Sequence, residues 1–326
     1  MAAIASALFG AVVHGRNALY NRGVFRARRL TAPVVSIGNL SVGGSGKTPF
    51  VICLGELLKY RGVKFDVLSR GYGRQSRGVA FVDPEGTAVD FGDEPLLIAR
   101  ALGVPVIVGE SRYRAGLAAE RKFKPQLHLL DDAFQHRQLA RDFDVVLVTP
   151  QDVTDHLLPR GRLREPLESL ERADVVVVKE KTVIPDNVLQ GKAVWRVRRG
   201  LELKDAPARP IVFSGIARPK FFLEELQEIG VQPAGEVIFR DHQKYADAEI
   251  RRLLQAKSAN LADGFITTEK DALNLGGRIG QLGRVAVARV TMELLEAESA
   301  LEKLLRVMEG HASQKTGLHG PTNVAS

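Results

Sequence analysis

One glycine-rich segment of the chain carries the residue types that bind phosphate groups. It runs from Ser41 to Thr48 and follows a short apolar run. Glycines let backbone N–H groups turn inward around phosphates, while the Lys47 ammonium reaches the β- and γ-phosphate oxygens and the Thr48 hydroxyl ligates Mg²⁺. An apolar strand precedes the segment and a helix is expected from Pro49, so the segment predicts nucleotide binding, although Ser41 stands where the strict pattern has glycine. The predicted nucleotide-binding residues are Ser41, Val42, Gly43, Gly44, Ser45, Gly46, Lys47 and Thr48.

An acidic pair supplies a second nucleotide signal. Asp131 and Asp132 come directly after the apolar run 127–130. A carboxylate at the carboxyl end of a buried strand is placed to lie beside the Mg²⁺ of a bound nucleotide. Such a pair is by itself equally typical of a surface turn, but together with the phosphate-binding segment it indicates a nucleotide site.

Another acidic pair, Asp93 and Glu94, opens a predicted helix and has two interpretations. Asp is a good helix N-cap, and acidic residues favour the first turn of a helix. In P-loop phosphotransferases, however, an additional acid near the γ-phosphate must receive the proton of the acceptor. The residues alone leave both interpretations open.

Short apolar runs alternate with stretches of helical spacing from Pro33 onward. Unbroken Val, Ile and Leu runs are typical of parallel strands buried on both faces. The pattern predicts an α/β fold: a P-loop NTPase-like, doubly wound, mostly parallel sheet, a second, smaller α/β domain and an N-terminal amphipathic helix. The predicted strands are 34–37, 65–68, 104–108, 127–130, 145–148, 175–178, 210–213, 236–239, 264–267 and 285–290. The predicted helices include 49–60, 94–101, 112–122, 220–229, 246–256 and 292–308.

Composition along the chain predicts the domain boundaries. Residues 1–29 form the N-terminal helix, 30–190 the phosphate-binding core and 191–308 the smaller domain. The boundary falls in the polar stretch 186–209, which is rich in Arg, Gly and Pro. Residues 309–326 lack periodic apolar residues and predict a disordered tail.

The N-terminal segment predicts an interfacial helix. Ser6, His14, Asn17 and Asn21 lie on one side of it, and Arg16 falls among the apolar residues of the other. An apolar side followed by arginines is typical of a helix at an anionic membrane surface, and the apolar run is too short to span a bilayer. The alternative is a helix packed on the protein's own core. The apolar side comprises Ile4, Leu8, Phe9, Val12, Val13, Leu19 and Tyr20.

Charge is concentrated at the N-terminal end. Lys and Arg number 46 against 38 Asp and Glu, a formal net charge of +8. Six of the basic residues precede the first acidic residue, Glu56, which leaves 46 − 6 = 40 against 38 in the rest of the chain. A nucleic-acid-binding face spread over the protein is therefore not expected. The single cysteine, Cys53, excludes an internal disulfide framework.

Seven motifs follow one another along the chain: SIGNLSVGGSGKTP (36–49), SRGYGR (69–74), GDEP (92–95), DDAFQH (131–136), LPRGRLREP (158–166), FRDH (239–242) and TTEKD (267–271). Together they resemble the motifs of the tetraacyldisaccharide 4′-kinases, the lipid A kinases of Gram-negative bacteria. The resemblance runs from about Gly15 to about Leu305. Ala133 stands where glycine is more often expected in that family, which affects only a local turn.

The resemblance implies an enzyme that uses ATP and Mg²⁺ to phosphorylate the 4′-hydroxyl of tetraacyldisaccharide 1-phosphate, giving lipid IVA, at the cytoplasmic face of the bacterial inner membrane. Its implied partners are the membrane-held substrate and an anionic lipid surface, with no nucleic acid and no obligate protein partner. It implies Asp93 as the base, assisted by His242, with Lys47 acting on the transferred group. It further implies metal-side residues Thr48, Glu94, Asp131 and Asp132, and substrate-side residues Arg70, Gln135, His136, Arg164 and Glu165.

Three other classes share parts of this pattern. Membrane-cycling ATP switches of the deviant-Walker kind need a signature lysine where this chain has Val42. A GTPase switch needs an Asn-Lys-x-Asp segment, which 268–271 does not match in spacing. A soluble small-molecule kinase stays open if the N-terminal helix is structural. For 268–271 the residues indicate only a corner between a strand and a helix.

Overall fold

A twelve-stranded sheet forms the centre of the protein, of which the computed structural model describes residues 1–189 and 191–316. In chain order the strands are β1 (Val34–Asn39), β2 (Phe65–Ser69), β3 (Ala80–Phe81), β4 (Val106–Val108), β5 (Leu127–Asp131), β6 (Phe143–Leu147), β7 (Val175–Lys179), β8 (Ala193–Glu202), β9 (Pro210–Ser214), β10 (Gly235–Ile238), β11 (Gly264–Thr268) and β12 (Val285–Leu294). Across the sheet their order is β10-β9-β11-β12-β8-β7-β6-β1-β5-β2-β4-β3. Among these strands every pair is parallel except β3–β4 and β8–β12.

Helices cover both faces of the sheet. In chain order they are α1 (Ala2–Asn21), α2 (Lys47–Tyr60), α3 (Ala88–Phe91), α4 (Asp93–Leu102), α5 (Arg112–Phe123), α6 (Pro150–Thr154), α7 (Asp186–Leu189), α8 (Pro219–Glu228), α9 (Asp247–Ala259), α10 (Glu269–Leu275) and α11 (Ala297–Thr316), with 3₁₀ turns at Leu167–Arg172 and Gly276–Leu282. On one face of the first half, α2, α4 and α11 bury Leu54, Ile98 and Leu301. On the other face α5 buries Ala119, and the first 3₁₀ turn buries Leu170. Helices on both faces of a mostly parallel sheet confirm the predicted doubly wound fold.

Strand β8 joins the two halves of the sheet, and the sequence analysis missed it. It pairs in parallel with β7 and antiparallel with β12. Trp195 and Val197 are buried, whereas Arg196 and Arg198 between and after them are exposed. This two-residue period is the signal of a strand, and the polar composition of 186–209 obscured it. The sheet is continuous across the predicted domain boundary, so the division into two domains stays a prediction.

Two helix starts differ by two or more residues from their predicted positions. Helix α2 begins at Lys47, two residues before the expected Pro49, so the helix takes in the end of the phosphate-binding segment. The last helix begins at Ala297 and not at Met292, because Met292 still pairs with β8 as part of β12.

The C-terminal end of the described chain is helical. The predicted disordered tail is wrong for 309–316, where α11 continues, and 317–326 lies outside the described residues. The ring of His311 is buried, with Nδ1 3.1 Å from Asp142 Oδ1 and Nε2 3.0 Å from the carbonyl oxygen of Thr31. These polar contacts hold this part of the helix, and apolar periodicity does not reveal them.

Helix α1 contacts the rest of the protein through small and polar residues. Ser6 Oγ donates to the carbonyl oxygen of Leu157 at 2.8 Å, and Gly10 and Val13 are buried beside it. Ser6 therefore faces the protein, whereas three apolar residues of the same helix face outward. Within the described residues, no helix combines the length and the apolarity needed to cross a membrane. The outward residues are Ile4, Leu8 and Val12, with 68%, 65% and 71% of their surface exposed.

We predict that Gly38→Ala destabilises the protein by about 1–3 kcal/mol, the usual cost of overpacking a core. Gly38 lies in β1, and a Cβ added there would lie 2.6 Å from Phe134 Cβ and 2.8 Å from the Phe134 backbone nitrogen. The measurement is chemical unfolding followed by circular dichroism. The control is Gly15→Ala in α1, where an added Cβ meets nothing within 4 Å. Equal unfolding midpoints for the two variants would contradict this account of strand packing.

Candidate active site at the carboxyl edge of the sheet

The predicted phosphate-binding segment connects the carboxyl end of β1 to α2. Gly46 directly precedes the helix with φ of 90°, in the left-handed region that favours glycine. The first N–H groups of α2 have no partner within the helix, and together with the helix dipole they favour an anion at this end. Thr48 is buried in the first turn. The segment therefore has the local geometry that binds phosphate.

Lys47 and Asp132 face each other beside this segment. Lys47 Nζ lies 3.4 Å from Asp132 Oδ1 and donates to Asn39 Oδ1 at 3.1 Å. Arg164 donates to both carboxylate oxygens of Asp132, at 3.1 and 2.8 Å. Burial alone would raise the pKa of Asp132, but Lys47 and Arg164 hold that pKa well below its usual range. Asp132 is therefore ionised and fixes the Lys47 ammonium next to the phosphate-binding backbone.

Asp131 is buried at the end of β5 and has one oxygen without a partner. Ser69 Oγ donates to its Oδ2 at 3.1 Å, while Oδ1 has no hydrogen-bond partner among the described residues. Burial, followed by the charges of Glu94 and Asp132, raises the pKa of Asp131 to about 7. A cation near Oδ1 would stabilise the ionised form, so this position fits a hard, oxygen-binding ion such as Mg²⁺.

The side chains alone do not complete a metal site. Within 1–189 and 191–316, no group of three or more His, Cys, Asp or Glu residues is placed to hold an ion. Lys270 contacts Glu94, and Asp132 is already paired with cations, which leaves Thr48 and Asp131 as donors. Mg²⁺ commonly binds through one or two carboxylates together with waters and substrate phosphates. Of the four predicted metal-side residues, Thr48 and Asp131 therefore fit an ion that arrives with a nucleotide, whereas Glu94 and Asp132 are engaged by cationic side chains.

Asp93 is buried at the start of α4 and contacts His242. His242 Nδ1 lies 2.8 Å from Asp93 Oδ2, and Asp93 Oδ1 accepts the N–H of Glu94 at 2.9 Å. The N-cap of the helix is Gly92, so Asp93 is not the simple N-cap of one interpretation. Burial would raise the pKa of Asp93, but the His242 hydrogen bond and the charge of Lys270 bring that pKa below its usual value. Asp93 is thus an ionised, buried carboxylate at neutral pH.

His242 comes from the second half of the chain, 149 residues after Asp93. It lies in the turn after β10 with φ of 55°, and its N–H donates to the carbonyl oxygen of Gly215 at 3.1 Å. Its ring centroid is 5.2 Å from that of Tyr72. The hydrogen bond to Asp93 raises the pKa of His242 against the opposing effect of burial. The two residues therefore form a coupled acid–imidazole pair of the kind that orients a catalytic group.

A cleft of about 650 Å³ opens beside this pair. Both halves of the chain contribute to its walls, so it depends on their packing. Concave sites of several hundred Å³ with a few convergent polar groups are typical of small-molecule binding. The volume suffices for part of an acceptor next to Asp93. The lining includes Tyr72, Asp93, His242, Tyr245, Leu273 and Arg278.

Two predicted substrate-side residues, Gln135 and His136, lie in the turn after β5. Gln135 Nε2 donates to the carbonyl oxygen of Asn39 at 2.9 Å. Burial, and then the charges of neighbouring arginines that include the predicted Arg70, lower the pKa of His136 to about 4. His136 is therefore neutral at pH 7 in cationic surroundings, which suit an anionic ligand.

Glu165 lies apart from these residues. It is fully buried, with Arg16 at 2.7 Å and Arg172 at 2.5 Å from its carboxylate oxygens. Arg16, expected among the apolar side chains of α1, instead reaches back to the protein. Because the neighbouring Arg164 binds Asp132, Glu165 connects α1 to the phosphate-binding residues. A direct contact of Glu165 with substrate stays a prediction.

Sequence reasoning missed three side chains at this edge. Asn39 accepts from Lys47, Lys270 contacts Glu94, and the buried Arg112 faces the charge of Asp131. Each stands at the end of a strand or in the first turn of the helix that follows one. That position was also the signal that identified Asp131, so the signal was available for all three.

Known proteins match the chain over nearly its whole length. The family model for tetraacyldisaccharide-1-P 4′-kinase matches residues 1–309. A tetraacyldisaccharide 4′-kinase of Koribacter versatilis is 46% identical over 314 residues, 93% of this chain and 98% of the relative. One of Geobacter metallireducens is 37% identical over 328 residues, 93% of this chain and 97% of the relative. A crystal structure of LpxK from Aquifex aeolicus in complex with ATP has a TM-score of 0.76 at 33% identity, covering 93% of this chain and 97% of that chain.

We predict that His242→Ala raises the pKa of Asp93. The hydrogen bond that lowers it disappears, while the burial that raises it stays. The measurement is a pH titration of the Asp93 carboxyl carbon by ¹³C NMR without ligands. The control is His156→Ala, which removes an exposed histidine. An Asp93 titration that does not move in His242→Ala would show that this hydrogen bond does not set its charge.

Proposed function

The chain belongs to the tetraacyldisaccharide 4′-kinase family, and we propose that Asp93 is the base of its reaction, assisted by His242. The reaction is the ATP-dependent phosphorylation of the 4′-hydroxyl of tetraacyldisaccharide 1-phosphate in lipid A biosynthesis. The observation that carries the proposed roles is the 2.8 Å distance from His242 Nδ1 to Oδ2 of the buried Asp93, while Glu94 and Lys47 both act on the charge of Asp131. Glu94 adjoins Asp93, so the phosphate-binding segment and the Asp93–His242 pair belong to one site.

The phosphates of ATP bind to residues 41–48. Backbone N–H groups at the start of α2 and the Lys47 ammonium supply positive charge where negative charge develops on the transferred group. Arg164 and Asn39 keep Lys47 and Asp132 in fixed positions before ATP arrives. Little reorganisation is then needed during phosphoryl transfer.

Two side chains in or beside residues 41–48 would hold a Mg²⁺ ion brought by the nucleotide. They are Thr48 and Asp131, because the buried Oδ1 of Asp131 lacks a partner among the described residues. When bound, Mg²⁺ would neutralise charge on the phosphate oxygens. The charges of Glu94 and Asp132 add to the local negative potential, as their effect on the pKa of Asp131 indicates.

Asp93 takes the proton of the acceptor hydroxyl. A sugar hydroxyl is a weak nucleophile, so a base must accept its proton as the oxygen bonds to the γ-phosphorus and ADP leaves. His242 Nδ1 lies 2.8 Å from Asp93 Oδ2 and fixes the orientation of that carboxylate. The lowered pKa of Asp93 keeps it ionised and able to accept a proton at neutral pH.

The acceptor side is cationic. Arg70 and the buried Arg112 act on the neutral His136 and lower its pKa. Such a group of arginines attracts an anionic sugar phosphate. The arginines are available to the acceptor because the phosphates of ATP are bound by Lys47. We therefore assign Arg70, Gln135, His136 and Arg164 to the substrate side, with Glu165 holding Arg16 of α1.

Helix α1 places the enzyme on an anionic membrane surface, at the cytoplasmic face of the inner membrane. Its outward apolar residues Ile4, Leu8 and Val12 are mostly exposed, and a basic segment with Arg22, Arg26, Arg28 and Arg29 follows. Apolar side chains that enter the interface beside arginines that bind headgroups are the features of an interfacial helix. This arrangement suits a substrate whose acyl chains stay in the bilayer.

We predict that Asp93→Asn lowers kcat by about 10²–10⁴-fold, because Asn has a similar shape but cannot accept a proton. ATP affinity should stay nearly unchanged, since Asp93 lies outside 41–48. The measurement is phosphate transfer from radiolabelled ATP to purified tetraacyldisaccharide 1-phosphate, with ATP binding measured by calorimetry. Lys47→Ala serves as the variant that loses a phosphate contact. Normal turnover by Asp93→Asn would exclude Asp93 as the base.

We predict that replacing Ile4, Leu8 and Val12 by Ser lowers binding to phosphatidylglycerol vesicles by roughly tenfold or more, since each apolar side chain contributes on the order of 1 kcal/mol or more on burial. Co-sedimentation of the full chain measures this. The matched control replaces three exposed apolar residues elsewhere, Val183, Ile229 and Leu261, by Ser. Equal vesicle binding by both triple variants would show that α1 is only structural and would favour a soluble kinase.

A further inference from the structure

We propose that the corner at residues 268–271, between β11 and α10, is a positioning element that aligns His242 with Asp93. The inference rests on the proposed role of Asp93 as the base. Neither Lys270 nor Asp271 was assigned a function from the sequence. Lys270 contacts Glu94, the neighbour of Asp93, and Asp271 contacts Gly215, whose carbonyl oxygen accepts the N–H of His242.

Asp271 fixes the backbone that carries His242. It is fully buried, and its Oδ1 accepts the N–H of Gly215 at 2.9 Å and the hydroxyl of Tyr245 at 2.7 Å. The carbonyl oxygen of Gly215 in turn accepts the N–H of His242 at 3.1 Å. His242 has φ of 55°, a conformation that non-glycine residues rarely adopt, so its turn needs such support.

Asp271 is itself held at the corner. Its Oδ2 accepts the Thr268 hydroxyl at 2.6 Å, and its N–H donates to Thr268 Oγ1 at 3.2 Å, an N-terminal cap of α10. A continuous series of hydrogen bonds thus connects the backbone of His242 to the first turn of α10, and this turn fixes the position of His242. The residue between Thr268 and Asp271 that faces the other half of the chain is Lys270.

Lys270 holds α10 against α4. Its ammonium donates to Glu94 Oε1 and also acts on the charge of Asp93. The sheet does not impose this contact by itself, because six strands lie between β11 and β2 in the strand order. The two helices nevertheless pack directly on each other. The ion pair therefore joins the segment that carries the base to the half that carries its histidine.

The experiment compares Lys270→Met and Lys270→Arg with wild type at pH 7, with ATP varied at saturating tetraacyldisaccharide 1-phosphate. We expect Lys270→Met to lower kcat by about 10–100-fold, the usual cost of a misplaced catalytic group. The KM for ATP should stay near that of wild type, because Lys270 lies outside 41–48. Lys270→Arg should recover part of the kcat. Lys270→Gln is made in parallel, so that the comparison survives if the Met variant fails to fold.

The control variant is Lys204→Met, which removes the lysine of an exposed Lys–Glu pair with Glu202 at 3.0 Å. It should match wild type in kcat and in the KM for ATP. An unchanged kcat in the Lys270 variants, or a kcat that Lys270→Arg does not recover, would overturn the proposal. So would a KM for ATP that rises as kcat falls, since the loss of a merely structural lysine would weaken ATP binding as well as turnover. Full turnover by Asp93→Asn would overturn the proposed base and this inference together. An inactive Asp93→Asn with unaffected Lys270 variants would overturn this inference alone.

Discussion

Negative charge gathered at the carboxyl edge of the sheet is the constraint on which the rest of the site depends. Asp93, Glu94, Asp131 and Asp132 all lie there, and Asp93 and Asp131 are buried. Buried carboxylates are stable only when cations or hydrogen-bond donors compensate them. Asp132 and Asp93 are compensated and have lowered pKa values, whereas Asp131 has a raised one. Asp131 is therefore where the positive charge of a metal ion would be best accommodated.

The compensating cations come from distant parts of the chain. Lys47 is provided by the phosphate-binding segment, Arg164 by the region after β6, and His242 and Lys270 by the second half. Each ion pair therefore serves both charge balance and the packing of one segment on another. The geometry of the site therefore depends on how the two halves of the sheet pack, and this packing depends on the ion pairs of the site.

Helix α1 is joined to the same network by polar contacts. Arg16 binds the buried Glu165, whose neighbour Arg164 holds Asp132. Because Ser6 and Gly10 supply the close contact with Leu157, the larger apolar residues of α1 stay on the outer side. Attachment through small and polar residues thus leaves the apolar side of α1 exposed. Ion pairs of Glu165 and Asp132 connect this helix to the phosphate-binding residue Lys47.

The sequence by itself determined the features that depend on neighbouring residues. Apolar runs located β1, β5 and most other strands, and the spacing of 41–48 identified the phosphate-binding loop, because strand burial and loop conformation follow from local pattern. The position of His242 opposite Asp93 entered through family resemblance and not through any local pattern.

Only the tertiary structure decided the pairing of β8, the helical end of α11 around His311, the inward side of α1 and the contacts of Glu165 and Lys270. Apart from the pairing of β8, each of these features includes a polar contact between residues more than 100 positions apart, such as Arg16–Glu165 and Glu94–Lys270. The type of a charged or polar residue does not indicate whether its partner in the folded protein is water or a distant carboxylate. The partner is chosen only when the folded sheet brings the segments together.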